Sequence, residues 1–122
     1  MKPADCRILV VDDDHIIRHL LRSILRNEGF NVMGEATSGE MALEMCKKLD
    51  PNLVLLDVNM SRMDGLQALQ EIKAQHPAMK VLMISAMPTM DRVKFAQGMG
   101  ADGFIVKPFN AAKILDTIIS LT

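Results

Sequence analysis

Apolar runs and helical-period stripes alternate five times along the chain. From Arg7 to Val11, β-branched and aliphatic residues run without alternation, the pattern of a strand buried on both faces; this is β1. Ile17, Leu20, Leu21, Ile24 and Leu25 then recur at helical spacing, giving α1, which stops at Asn27-Glu28-Gly29 with Gly29 as a left-handed cap. Asn31 to Ala36 is a short strand, β2. Ser38-Gly39-Glu40 opens α2, whose Met41, Ala42, Leu43, Met45, Cys46 and Leu49 end before Pro51. Leu53 to Leu56 forms β3, the most apolar of the strands.

Asp64-Gly65 starts α3, with Leu66, Leu69 and Ile72 inward and His76-Pro77 closing it. Lys80 to Ser85 is β4, and Pro88 to Met99 a less regular α4 ended by Gly98 and Gly100. Gly103 to Val106 is β5. Asn110 to Leu121 is α5, with Ile114, Leu115, Ile118 and Ile119 on its apolar stripe. Alternation of this kind predicts an α/β fold, a doubly wound parallel five-stranded sheet with helices on both faces. Right-handed crossovers favour the strand order 2-1-3-4-5. No linker, repeat or low-complexity segment divides the sequence, so residues 1–122 read as one domain.

Composition narrows the function. A net charge of −1 gives no pull toward nucleic acid or an anionic membrane. No apolar run is long enough to insert into a bilayer, and the start of the chain lacks a signal segment. Cys6 and Cys46 have no metal-ligand spacing and read as reduced thiols of a cytoplasmic protein. With no Trp, no Tyr and only four Phe, stacking partners for a flavin or a base are scarce. The 11 Met are read as flexible core filler in place of the missing aromatic bulk.

Acidic residues sit where such a fold places its ligands. Asp12, Asp13 and Asp14 follow β1, and Asp57 follows β3. These two strand ends flank the switch point of the 2-1-3-4-5 order. Carboxylates held together repel, and they persist where a hard divalent cation such as Mg2+ binds or where chemistry needs them. β4 ends in Ser85-Ala86 and β5 in Lys107-Pro108. Carboxylates, metal, hydroxyl and ammonium around one point are the ingredients of phosphoryl transfer.

Val11-Asp12-Asp13, Leu56-Asp57, Met60 to Gly65, Ser85-Ala86 and Phe104-Ile105-Val106-Lys107-Pro108-Phe109 occur in that order at the predicted strand ends. Together they resemble the receiver domain of two-component response regulators, in the single-domain form seen among chemotaxis proteins, from Arg7 to Leu121. The resemblance implies a flavodoxin-like (βα)5 fold. It also implies that Asp57 accepts a phosphoryl group from the phosphohistidine of a sensor histidine kinase or phosphotransfer protein. Asp13 and Asp57 would ligate Mg2+ (Mn2+ as a substitute) directly, Asp12 through water and Asn59 through its backbone carbonyl. Lys107 would pair with Asp57 and then with the phosphoryl oxygens, Ser85 would bond the phosphoryl group, and Phe104 would turn inward behind it. The α4-β5-α5 surface would then change its affinity for a downstream effector protein. By the same resemblance the Lys107–Pro108 peptide is cis, and the molecule is a switch assisting its own phosphorylation and dephosphorylation rather than an enzyme. Departures from the family pattern are Ser61 in place of a proline, Phe104 where many members carry Tyr, and Met87, neither acidic nor basic, two residues after Ser85. In the family that last position and Asn59 flank the path of the attacking water.

Plainer roles are assigned to other residues. Asp14 caps α1. His15, His19 and His76 read as surface residues, and Arg18, Arg22 and Arg26 as a solvated stripe on one helical face. Lys94 and Lys113 lie where the switch surface would be. Two rivals remain. The run from Val11 to Asp14 also matches the start of haloacid-dehalogenase-type phosphatases with Asp12 as nucleophile, although Asp57 would then have no purpose. A receiver belonging to a longer regulator with a C-terminal output domain would share every motif.

Overall fold

A computed structural model describes residues 2–60, 63–86 and 89–121. After a short 3-10 turn at Pro3–Asp5, the elements are β1 (Arg7–Val11), α1 (His15–Asn27), β2 (Asn31–Ala36), α2 (Gly39–Leu49), β3 (Leu53–Asp57), α3 (Gly65–Gln75), β4 (Lys80–Ser85), α4 (Met90–Gly98), β5 (Gly103–Val106) and α5 (Ala111–Leu121). All five strands are parallel and lie in the order β2-β1-β3-β4-β5. Both features match the sequence pattern. Ser61 and Met87 lie outside the described residues.

Alternate residues of the central strands feed two separate cores, which is why those strands read as unbroken apolar runs. Leu9, Val11, Val54, Leu56, Val81 and Met83 face α2, α3 and α4, meeting Ala42, Cys46, Leu69, Ile72 and Ala96. Ile8, Val10, Leu53, Leu55, Leu82 and Ile84 face α1 and α5, meeting Leu21, Leu25, Ile114 and Ile118. Methionine fills the first core: Met60, Met79 and Met83 are buried, and Met45, Met63 and Met99 pack against them. Met41 and Met90 are exposed. Both cysteines are free and buried, and burial pushes the Cys46 thiol up to about 11, so it is an unreactive core group.

Helix starts follow from side-chain caps. Asp14 accepts from the amide of Ile16 at 2.9 Å, Ser38 from Met41 at 3.2 Å, Asp64 from Gln67 at 2.8 Å and Thr89 from Arg92 at 3.3 Å. Asn110, expected inside α5, instead caps it, accepting from Lys113 at 2.8 Å. For the same reason α4 begins two residues later than its apolar pattern suggested, after the Thr89 cap. Gly29 has the expected positive φ, at 85°.

Two surface assignments are corrected. Arg18 and Arg22 are not a solvated stripe: both reach across to Glu35 on β2, at 3.3 and 2.6 Å. His76 is half-buried at the end of α3, and its Nε2 is buried without a hydrogen-bond partner. His15 and His19 are exposed, as expected.

Candidate functional site

Strand register delivers the site residues to one level. Val11 lies opposite Leu56, Asp57 opposite Ile84 and Ser85 opposite Val106. The next residues, Asp12 and Lys107, therefore emerge beside Asp57 and Ser85. A carboxylate oxygen from each of Asp12, Asp13 and Asp57 lies within 4.8 Å of the others. Asp12 and Asp57 are 1% and 3% exposed, whereas Asp13 is open to solvent. Asp14 is outside this cluster, with its side chain spent on capping α1.

Lys107 closes the site from the β5 side. Its Nζ donates to Asp12 Oδ2 at 3.1 Å and to Asp57 Oδ1 at 3.3 Å. Burial pulls the ammonium pKa down, but the bond to Asp12 and the attraction of Asp57 outweigh it, and the net shift is upward. Asp57 moves further, up to about 6. Burial is the main cause and repulsion from Asp12 the second; Lys107 and the amide of Asn59 only partly offset them. Three carboxylates against one ammonium leave the cluster electron-rich and short of cation. That donor set, all oxygen and partly open to water, suits a hard divalent ion. Asp12 Oδ1 meanwhile accepts from the amide of Asp14 at 2.9 Å, so each Asp12 oxygen already holds a donor.

Ser85 is fully buried. Phe104 lies opposite Met83 and is half-buried against the α4-side core, next to a cavity of about 80 Å3 lined by Ala96, Gln97 and Ala101. Asn59 is exposed, and its Oδ1 accepts from Arg92 of α4 at 2.9 Å. The Lys107–Pro108 peptide is cis.

The sequence did not show what three further residues contribute to the site. Arg92 looks like any surface arginine until α4 brings it to Asn59. Arg18 donates from Nη1 to the backbone carbonyl of Asp12 at 2.7 Å, a contact that depends on where α1 lies against β1. Gly65 packs so closely on β3 that a Cβ there would overlap the carbonyl oxygen of Asp57; the sequence showed it only as part of a turn.

The family described as the response regulator receiver domain matches residues 8–119. Chemotaxis protein CheY of Bacillus subtilis is 43% identical over 112 residues, covering 92% of this chain and 93% of that protein. The CheX-CheY-BeF3-Mg complex from Borrelia burgdorferi contains a chain of the same fold, with a TM-score of 0.91, 36% identity and coverage of 94% and 87%. The transcriptional regulatory protein PdtaR of Mycobacterium tuberculosis is 36% identical, but the match spans only 54% of its length. The chain belongs to the response regulator receiver domain family. Members are signalling switches of two-component systems and bind Mg2+ at their acidic pocket. Among the described residues, no helix is long and apolar enough to cross a membrane.

Proposed function

We propose that the protein is a phosphoacceptor switch, with Asp57 receiving a phosphoryl group from a phosphohistidine on a sensor kinase or phosphotransfer protein. The observation that carries this reading is the buried Asp57 carboxylate, bridged to the Asp12 carboxylate by the Lys107 ammonium. An Asp57 oxygen attacks phosphorus. The new P–O bond forms as the P–N bond breaks, and the departing electron pair stays on the imidazole nitrogen. Hydrolysis later places a water oxygen on phosphorus and returns the Asp57 carboxylate.

Asp13 and Asp57 would hold Mg2+ directly, Asp12 through water and Asn59 through its backbone carbonyl; Mn2+ has the same oxygen preference. The ion would supply positive charge against the phosphoryl oxygens. Lys107, already bonded to Asp57, would neutralise a further oxygen, and Ser85 at the end of β4 would donate to another. Asp12 keeps Lys107 oriented, while burial excludes competing water.

The output follows from the added charge. Movement of Ser85 toward the phosphoryl group would vacate space into which the half-buried Phe104 ring would turn. The α4-β5-α5 surface presents Phe95 and Val106 as exposed apolar groups, with Lys94 and Lys113 also exposed. It is the natural docking face for an effector protein. The kinship with CheY proteins favours a cytoplasmic signalling role of the chemotaxis kind. A receiver within a longer regulator is the second reading, favoured by the match to part of PdtaR.

Incubation with Mg2+ and a small-molecule phosphodonor, followed by mass spectrometry of the intact protein, tests the proposal. One phosphoryl group should be gained by the wild type and none by Asp57→Ala. Labelling that survives in Asp57→Ala and disappears in Asp12→Ala would establish the phosphatase reading instead.

A further inference from the structure

The contact between Arg18 and the backbone of Asp12 points to a positioning role that neither the motifs nor the family match assigns. Arg18 lies on α1, its side chain 15% exposed, beneath the acidic cluster. Its Nη1 donates to the Asp12 carbonyl at 2.7 Å, and its Nε reaches Glu35 Oε1 at 3.3 Å. Glu35 is held from the other side by Arg22 at 2.6 Å, and Arg22 in turn contacts His19 Nδ1 at 2.8 Å. The guanidinium is thus fixed at both ends, which its planar fork permits and an ammonium would not.

The Asp12 carbonyl belongs to the peptide that joins Asp12 to Asp13. The sheet anchors the preceding peptide instead: the Asp12 amide, one residue past the end of β1, donates to the carbonyl of Ala36, the last residue of β2, at 3.1 Å. Rotation of the Asp12–Asp13 peptide plane would swing the exposed Asp13 carboxylate away from Asp12 and Asp57. A charge-assisted bond to the carbonyl opposes such rotation.

We propose that Arg18, clamped by Glu35, positions the Asp12–Asp13 peptide and so sets the affinity of the acidic cluster for a divalent cation. The inference rests on the Mg2+-binding part of the proposed function. Its strength is a reversal of sign. Electrostatics alone makes Arg18 an obstacle, because a positive charge near the cluster repels the incoming ion and its removal should tighten binding. Positioning predicts the opposite. Supports of metal ligands commonly contribute about tenfold or more to affinity, enough to overcome the repulsion relieved.

The test titrates Mg2+ alone into wild type, Arg18→Met and Arg18→Lys. The chain lacks Trp and Tyr, so calorimetry and the backbone amide resonances of Asp12 and Asp13 are the readouts. Metal-free melting curves verify that each variant is folded. Arg18→Met is expected to bind Mg2+ about tenfold more weakly, with the loss persisting at high salt where a simple charge effect is screened. Arg18→Lys, which keeps the charge but not the fork, should fall between Met and wild type. Affinity in Arg18→Met equal to or above wild type overturns the proposal. If that variant does not fold, wild-type affinity in Arg18→Lys overturns it. Absence of Mg2+ binding to the wild type would instead sink the proposed function, so the two failures are distinguishable.

Discussion

Gly65 packs against the backbone of Asp57 with no room for a side chain between them. A Cβ at Gly65 would overlap the Asp57 carbonyl oxygen and crowd the Val58 Cα, and the Gly65 amide donates to Val58 O at 2.8 Å. The first residue of α3 is therefore pressed against the strand end that carries the central carboxylate. The requirement is for close approach, since Gly65 is absent from the positive-φ residues.

Gly65→Ala must push α3 away or displace Asp57, because the obstructing atoms are backbone. We expect a loss of at least about 2 kcal/mol in unfolding free energy, measured by denaturant titration. Phosphoryl acceptance should fall as well, since the displaced residue is the proposed acceptor. A variant as stable as the wild type would show that α3 can retreat freely.

The raised pKa of Asp57 gives a signed pH dependence in metal-free protein. Its folded value, about 6, lies above the ordinary 3.8, so the native state binds the extra proton between those values. Stability from this group is fully present below pH ~4 and is lost as pH rises through ~6. Asp57→Asn removes the burial penalty of the charge. The variant should match the wild type near pH 4 and exceed it at pH 7 by on the order of 3 kcal/mol. Thermal melts of both proteins without metal, across that range, measure the difference; a pH-independent difference contradicts the assignment.

Lys107 and a divalent cation compete for the same carboxylates. Lys107→Met leaves Asp12 and Asp57 without the ammonium that now bridges them at 3.1 and 3.3 Å. Mg2+ should then bind more tightly, by about tenfold or 1.4 kcal/mol. Acceptance of a phosphoryl group should nevertheless fail to move the α4-β5-α5 surface, because one oxygen loses its partner. Calorimetry gives the first quantity, and amide shifts on beryllofluoride addition give the second.

The strands and their order were legible because β1, β3 and β4 are buried on both faces, and such burial writes unbroken apolar runs. Asp12, Asp57, Ser85 and Lys107 were legible because a parallel sheet gathers its ligands beyond the strand ends, so chain position alone assigns them to one place. Helix bounds were less clear at α4 and α5, where Thr89 and Asn110 cap from outside the helix instead of joining it. Arg18, Glu35 and Arg92 were not legible. Their partners lie 17 residues away for the Arg18–Glu35 pair and 33 for Arg92 and Asn59, across elements whose packing no local pattern encodes. An arginine on a helix face looks the same whether its guanidinium meets water or a carbonyl.

Arg92 offers the sharpest test of a feature seen only in three dimensions. Its bond to Asn59 at 2.9 Å ties the first turn of α4 to the loop two residues past Asp57. Asn59 would flank the path of the attacking water in the proposed function, and freeing its side chain from this tie would open that path. Arg92→Ala is therefore expected to shorten the lifetime of phosphorylated protein about two- to fivefold, the equivalent of one exposed hydrogen bond. The double variant with Asn59→Ala decides whether the tie is the cause. If it is, the two substitutions are non-additive, and Arg92→Ala has little further effect once Asn59 is gone. Fully additive rates, measured by following loss of the phosphoryl group in each protein, would assign Arg92 an effect of charge alone.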